Sequence, residues 1–505
     1  MSKKKSNDSS SQPMMIPENT ELERFLKREE EIKEKLKIKN KPIITMTYLM
    51  VLVFIALFAH LIYFMVHDSK KLIADSHNSR QDYYAKYIRR GDIVSADGKV
   101  LATTTVDEDG NETREYPYKE VFAHVIGYNE YGRSGIELQY NFQLLTSNVN
   151  VVKQLKNDVK NNKNPGDTVC TTLDSRLQQA AYDALGDARG AVVVLDPSTG
   201  KILAFVSKPS YDPNNIEEVW DYIHSEEGSE STIMLNRASQ GLYAPGSTFK
   251  IVTALEYIRE NPNYKNYSYE CEGTDIFKGV EISCANDHVH GTVDLKDSVA
   301  YSCNTSFANI GLTLDKESYR KTAEDLLYNK DLPVDIDHSN SSFKIDKNSD
   351  DSIIPQTAIG QGDTAITPLH NAMIMSAIAN GGVLKKPYLV DSIKNSDGVT
   401  VEKMKSPGTM TLMSAKESAI LIEMLEAVCD YGTAESYFEY KDYDVAGKTG
   451  TAEYDNNGNC NSWFVGFSGC EDPDIVVSVI VEDYTENQTS GSYVAMCVFD
   501  AYYDK

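Results

Sequence analysis

An α/β composition with α+β connectivity is predicted for the larger, C-terminal part of this chain, with one five-stranded antiparallel sheet flanked by helices. Three observations predict it. Residues 191–207 (AVVVLDPSTGKILAFVS) read as two apolar strands joined by an Asp-Pro-Ser-Thr-Gly turn. Three more strand-like runs, YDVAGKTGTAEY, NSWFVGFSG and DIVVSVIVEDY, lie near the C-terminus, with Asn456-Asn457-Gly458 and Glu471-Asp472-Pro473 as the turns between them. The long middle is mainly helical, as in PLHNAMIMSAIANGG and SAKESAILIEMLEAVCD. Strands at both ends with helices between them imply a sheet that closes only when the chain returns.

The chain has 505 residues, which suggests two or three domains, and its 41% apolar content can supply a sizeable core. A net charge of -25 argues against nucleic acid, because phosphate binding needs clustered Lys and Arg. The acidity reads as a solubility feature.

The first element is apolar. Residues 43–66 (IITMTYLMVLVFIALFAHLIYFMV) contain no Asp, Glu, Lys or Arg, and a membrane span needs ~20 such residues. Core helices rarely stay apolar on every face for this length; His60, near the end of the run, can sit close to the headgroups. Lys33, Lys35, Lys37, Lys39 and Lys41 precede the span, whereas His67, Asp68, Lys70, Lys71 and Asp75 after it are mixed. The positive flank stays inside, so residues 1–42 are predicted as a cytoplasmic tail and everything past residue 66 as extracytoplasmic. The charged lead is long for a signal peptide and no small-x-small site follows directly, which favours an uncleaved single-pass anchor. The stretch ELERFLKREEEIKEKLKIK reads as a charged, weakly amphipathic helix, a solvated stub rather than a partner-binding helix.

Residues 67–165 are polar and rich in turn signals. RGDIVSADGKVLATTT looks like a hairpin turning at Asp97-Gly98. This part reads as a small extended pedestal, ending at the loop NNKNP over 161–165, and residues 166–505 form the second extracytoplasmic domain. No internal repeat is visible.

Three short motifs carry chemistry: Ser247-Thr-Phe-Lys250, Ser302-Cys303-Asn304 and Lys448-Thr449-Gly450. The first pattern alone is uninformative, since S-x-x-K occurs five times, at Ser2, Ser198, Ser247, Ser318 and Ser341. S-x-N recurs at Ser76, while K-T-G occurs once. Context selects among the copies. Ser247 follows Ala244-Pro245-Gly246 and opens an apolar helical run, STFKIVTALEYIRE; Lys448 lies in a strand that returns as a hairpin. A serine hydroxyl needs a base to take its proton. Residues i and i+3 share a helix face, so Lys250 is predicted to reach the Ser247 oxygen. Burial, with Lys448 as a nearby second cation, would lower the Lys250 amine toward neutrality. The backbone N–H of Ser247 at a helix start and that of Thr451 just past K-T-G are the predicted oxyanion donors. Ser302 can relay a proton to the leaving group and Asn304 can hold a substrate amide. Lys448, Thr449 and Thr451, with Gly450 between the threonines, suit a terminal carboxylate. A capping serine beside a surface lysine would explain one motif, not three in this order.

The S-x-x-K, S-x-N and K-T-G set is the signature of serine β-lactamases and penicillin-binding proteins, and most of the chain resembles class B penicillin-binding proteins. RGDIVSADGKVLA (90–102) resembles that family's opening motif, and GRSGIELQYNFQLL (132–145) its second non-catalytic motif, with Gly135, Ile136, Glu137 and Tyr140 in the expected places. GDTVCTTLDSRLQQAAYDAL resembles the start of the transpeptidase domain, and residues 358–382 and 447–469 also match. The resemblance covers residue 90 to the C-terminus. It implies a penicillin-binding/β-lactamase-like transpeptidase domain on an extended pedestal. It implies attack of Ser247 on a D-Ala-D-Ala stem peptide, an acyl-enzyme, and cross-linking to a neighbouring amine, with β-lactams acylating the same serine and no metal or organic cofactor. A glycosyltransferase partner is also expected, because only residues 67–165 separate the span from the transpeptidase domain. Cys303 departs from many members, although a subset reads Ser-Cys-Asn. The rival readings are a β-lactamase, which needs a water-activating carboxylate that no motif locates; a penicillin sensor, which would carry more spans and a cytoplasmic effector; and a scaffold that recruits wall-synthesis proteins.

None of the eight cysteines forms C-x-x-C, so no zinc site is predicted. Cys271 and Cys284 flank a short strand and could pair in an oxidising compartment or remain free buried thiols. His288 and His290 lack a third ligand at metal spacing and read as loop residues. Gly360-Gln361-Gly362 is too short to cradle phosphate and reads as a turn near the cleft. Trp463 and Phe464 read as core, and Glu453 as a residue that orients the K-T-G strand.

Overall fold

Five strands close the predicted antiparallel sheet, two from the middle of the chain and three from near its C-terminus. In this computed structural model, which describes residues 19–67, 84–404, 406–454, 459–485 and 489–504, unit boundaries fall at Met1–Asp75 and Ser76–Lys505.

The first unit contributes one helix, α1 (Asn19–His67), continuous through the charged stretch and the apolar run with Pro42 inside it. Among the described residues it alone is long and apolar enough to cross a membrane. At ~1.5 Å per residue, residues 43–66 extend about 36 Å, more than the ~30 Å hydrocarbon core. The predicted tail residues 1–18 and the flanking Asp68, Lys70, Lys71 and Asp75 lie outside the described residues.

In the second unit, β1 (Ile93–Val94) and β2 (Val100–Val106) form the predicted hairpin, and β3 (Glu112–Glu115) extends it. Strand β4 (Thr168–Thr171) runs parallel to β1. It also pairs with β5 (Val390–Lys394), a strand more than 200 residues away, which in turn pairs with β6 (Thr400–Lys403). The resulting six-stranded sheet therefore crosses the expected boundary at 165/166. A hydrogen bond from Ser175 Oγ to Asp97 Oδ2 (2.6 Å) adds a second tie at the hairpin turn.

The pedestal motifs meet in a buried ion network. Glu137 accepts from Arg90 Nε at 2.6 Å and from Arg114 Nε at 2.7 Å, and Arg114 Nη1 also donates to Gly91 O at 2.7 Å. Burial alone would raise the Glu137 carboxyl; the two guanidiniums outweigh it and hold the group below its ordinary range. This is how the opening motif and the second motif, remote in sequence, fix one another.

The main sheet comprises β7 (Gly190–Leu195), β8 (Ile202–Lys208), β9 (Val445–Glu453), β10 (Cys460–Ser468) and β11 (Val476–Tyr484). Its order is β9-β10-β11-β7-β8, antiparallel throughout. Every residue of β7 is buried, as are nearly all of β10. Successive strand residues face opposite sides, so the sheet is covered on both, and its strands read as continuous apolar runs rather than alternating ones. Helix α2 (Pro368–Ala379) is buried along its whole length, as an all-round apolar helix must be. Helix α3 (Ala415–Asp430) starts at a Ser414/Glu417 capping box. Trp463 and Phe464 are core residues, as expected. The predicted turn at Asn456-Asn457-Gly458 lies outside the described residues.

Replacing Glu137 by Gln leaves two buried guanidiniums facing each other without a counter-charge. Urea unfolding of the full-length chain should show a loss of about 3–5 kcal/mol. A change under about 1 kcal/mol would mean that the network does not hold the pedestal together.

Candidate active site

The S-x-x-K serine sits on a tight turn. Residues Gly246–Phe249 form a 3-10 turn that runs into the helix Lys250–Glu260. Gly246 has φ +52°, and a Cβ there would lie 2.5 Å from Thr451 O. A Cβ at Gly450 would meet Trp463 Cβ at 3.0 Å and Thr248 Cγ2 at 3.1 Å. The two glycines thus let the K-T-G strand lie directly against the serine turn. Trp463 Nε1 donates to Ala244 O at 3.1 Å and Phe249 stacks on Phe343 at 5.6 Å, which pins the turn from the sheet and from the core.

The three motifs converge. Lys250 Nζ donates to Ser302 O (2.6 Å), Ser302 Oγ (3.2 Å) and Asn304 Oδ1 (2.6 Å). Lys448 Nζ donates to the same Ser302 Oγ at 2.9 Å and to Thr449 O at 3.2 Å. Both lysines are 0% exposed. The predicted Lys250–Ser247 hydrogen bond is not formed in this state: the amine's three donors all go to the S-x-N turn. The physical reason is that a buried amine takes the nearest fixed acceptors, and a catalytic hydrogen bond can tighten only when substrate arrives. Asn304 is similarly committed, with Oδ1 on Lys250 and Nδ2 on Ser283 O at 2.8 Å, leaving one N–H for a ligand.

Electrostatics follow from burial. Desolvation lowers the Lys250 amine from the ordinary lysine range to about 8. Desolvation first, and the Lys250 charge second, push Lys448 well below that range. The like-charge repulsion between the amines, expected to act on Lys250, is expressed on Lys448.

Ser302 has φ +55°, a left-handed conformation that costs about 1–3 kcal/mol for a non-glycine residue. Surrounding bonds enforce it: Ser302 N to Val299 O (3.2 Å) and Cys303 N to Ser298 O (3.0 Å). Strand β9 is an edge strand of the sheet. In an antiparallel strand a residue's N–H and C=O face the same neighbour, so the edge that brings Thr451 O to Gly246 also points the Thr451 N–H toward the serine turn. Ser247, Ser302, Asn304, Thr449, Gly450 and Thr451 all line one cleft of about 720 Å³, large enough for a peptide end.

One lining residue has no signal in the sequence, and a second has a role there that the sequence does not show. Thr433 Oγ1 lies 2.6 Å from Thr449 Oγ1, and Thr433 N donates to Ala300 O at 3.1 Å, so the loop after α3 bridges the K-T-G and S-x-N segments. It belongs to no motif. Gln361, read as part of a turn near the cleft, pairs with the Glu453 backbone N and O at 3.1 and 3.0 Å once its amide is oriented to suit; it is this residue that orients the end of β9.

The acid–base character of the pair sets an expected pH profile. The neutral fraction of the Lys250 amine, and with it serine acylation, should rise about tenfold per pH unit below about 8 and level off above it. Lys250→Ala should slow acylation about 10²–10⁴-fold. A flat profile between pH 6 and 9, or near-normal acylation by the variant, would exclude this amine as the base.

Residues 190–504 match the family model of the penicillin binding protein transpeptidase domain, and residues 90–169 that of the penicillin binding protein A dimerisation domain. The peptidoglycan D,D-transpeptidase PbpA of Mycolicibacterium smegmatis is 31% identical over 447 residues, covering 82% of this chain and 87% of that protein. Among solved structures, the D,D-transpeptidase domain of a peptidoglycan glycosyltransferase from Eggerthella lenta is 32% identical with a TM-score of 0.74, covering 83% of this chain and 99% of that one. The imipenem acyl-enzyme complex of penicillin-binding protein A from M. tuberculosis is 28% identical with a TM-score of 0.72, covering 82% of this chain and 99% of that one.

Proposed function

This chain belongs to the penicillin-binding protein transpeptidase family, and from that membership we propose that it is a peptidoglycan D,D-transpeptidase acting through Ser247. The observation that carries the residue assignment is Ser302 Oγ, within hydrogen-bond reach of both buried amines (2.9 and 3.2 Å) beside the Ser247 turn.

Ser247 Oγ attacks the carbonyl between the two D-alanines of a stem peptide, giving its proton to the neutral Lys250 amine. Negative charge on the carbonyl oxygen is met by the N–H groups of Ser247 and Thr451. Collapse expels D-alanine, whose nitrogen receives a proton through Ser302, and leaves an acyl-enzyme. An amine from a neighbouring strand then attacks the ester, Ser247 regains its proton, and a cross-link results. Lys448, Thr449, Gly450 and Thr451 hold the substrate's terminal carboxylate, and Asn304 offers its remaining N–H to the peptide. A β-lactam presents the same carboxylate and acylates the same serine.

The same reading organises the rest of the chain. Residues 67–165 act as the pedestal and 166–505 as the transpeptidase domain. Helix α1 anchors the protein, with the lysines at 33–41 on the cytoplasmic side and the cleft outside. A separate glycosyltransferase supplies the glycan strands.

The test uses the full-length chain in detergent with a fluorescent penicillin. Wild type should retain a label that survives denaturing electrophoresis, and Ser247→Ala should take up none. With a pentapeptide-bearing glycan substrate, wild type should form cross-linked product. Label on Ser247→Ala would sink the assignment, and rapid loss of label by hydrolysis would indicate a β-lactamase instead.

A further inference from the structure

Behind the S-x-N turn lies a cluster that the transpeptidation chemistry does not use. The segment between the helix Lys250–Glu260 and Ser302 makes an excursion. Strands Tyr269–Cys271 and Gly291–Val293 pair antiparallel, with Gly291 opposite Cys271, and the hairpin Thr274–Phe277/Val280–Ser283 is inserted between them. The excursion brings Cys271, Cys284 and His290 onto Cys303, the middle residue of S-x-N. The four ligand atoms all lie within 4.8 Å of one another. The three thiols are free and almost fully buried, at 0%, 3% and 0% exposure.

The spacing is informative. Cys271 Sγ and Cys284 Sγ are 3.7 Å apart, Cys284 Sγ and Cys303 Sγ 3.8 Å, and His290 Nδ1 is 3.3 Å from Cys271 Sγ. Four ligands at Zn–S distances of about 2.3 Å make a tetrahedron whose S···S edge is about 3.75 Å, and the corresponding N···S edge is about 3.5 Å. A small apolar core would fill this space with branched side chains; here it is filled by sulfur and one imidazole nitrogen.

We propose that Cys271, Cys284, His290 and Cys303 form a structural Cys₃His zinc site that fastens the 269–293 excursion to the back of the S-x-N turn. Three thiolates and an imidazole select a soft-to-borderline metal over magnesium or calcium. Four protein ligands close the coordination shell and leave no open position for water, the arrangement of a structural ion. Groups around the ligands fit that role. Thr305 Oγ1 donates to Cys271 Sγ at 3.2 Å, and the Tyr301 ring stacks on the His290 imidazole at 5.9 Å and 22°. The consequence for the cleft is mechanical: Cys303 is flanked by Ser302 and Asn304, the two residues that hold Lys250. Metal content is read independently of penicillin chemistry, so this inference stands or falls apart from the function above.

The experiment is zinc analysis of the full-length chain, purified in detergent without chelators or metal-affinity resin. Wild type should carry about one zinc per chain, and Cys271→Ser and His290→Ala should lose most of it. Cys429→Ser, which removes a buried free thiol outside the cluster, should keep it. Thr305→Val, with all four ligands in place, should weaken zinc retention against a competing chelator about 10–100-fold. Because a ligand variant can fail to fold, the metal-stripped wild type is also titrated with Co²⁺, which should give thiolate-to-cobalt charge-transfer absorption saturating at one equivalent. A wild type that holds no zinc and takes up neither zinc nor cobalt would overturn the proposal. So would a disulfide joining any two of these three cysteines in the bulk of the native protein, or equal zinc loss in Cys429→Ser.

Discussion

The candidate active site is built around two lysine amines buried without a carboxylate partner. Among the described residues, the hydrogen-bond partners of Lys250 and Lys448 are all neutral, and the two amines share Ser302 Oγ. Removing a single ammonium from water costs several kcal/mol even after relaxation, and two facing the same hydroxyl repel each other as well. The pair relieves this by giving up a proton. A carboxylate in the site would cancel the repulsion and keep both amines charged. The proposed chemistry thus requires that an acidic partner be absent, and the fold has to supply the binding energy to hold an arrangement that is unfavourable by itself.

That energy comes from contacts of long sequence separation. The serine turn is pressed against β9 through Gly246 and Gly450 and held to β10 by Trp463. The S-x-N turn keeps Ser302 in a strained conformation with backbone bonds to Ser298 and Val299. Thr433 joins the K-T-G strand to the end of the helix preceding Ser302. None of these pieces positions its side chain in the cleft alone. The sheet must close, with β7 and β8 from the middle of the chain meeting β9, β10 and β11 from its end, before the cleft exists.

Much of this was legible in the sequence because it is local or periodic. Continuous apolar runs mark the strands, and a helix breaker followed by an apolar helical run selects Ser247 from five candidate serines. What escaped is what only the closed chain juxtaposes. Strand β5 completes the pedestal sheet from more than 200 residues away. Lys250 reads as a partner of Ser247 because helical spacing says so, yet its buried amine turns to the acceptors of a segment some 50 residues on. In the sequence His290 reads as a loop residue without a third ligand, because C-x₁₂-C-x₅-H-x₁₂-C has none of the short spacings by which zinc sites are recognised. Here the ligands are gathered by strand pairing, which leaves no such mark.

The pedestal and the cleft solve opposite electrostatic problems with the same side-chain class. At Glu137 two buried guanidiniums share one carboxylate, so the charges are compensated, fixed and chemically inert. At Ser302 two buried amines share one hydroxyl, so the charge is uncompensated and the proton is mobile. Guanidinium suits the first site because it stays charged and presents a rigid fork, and amine suits the second because burial can neutralise it. Exchanging the two chemistries would fail at both places: an arginine at 250 could not surrender its proton, and lysines at 90 and 114 would lose the forked geometry that lets one carboxylate join two remote motifs.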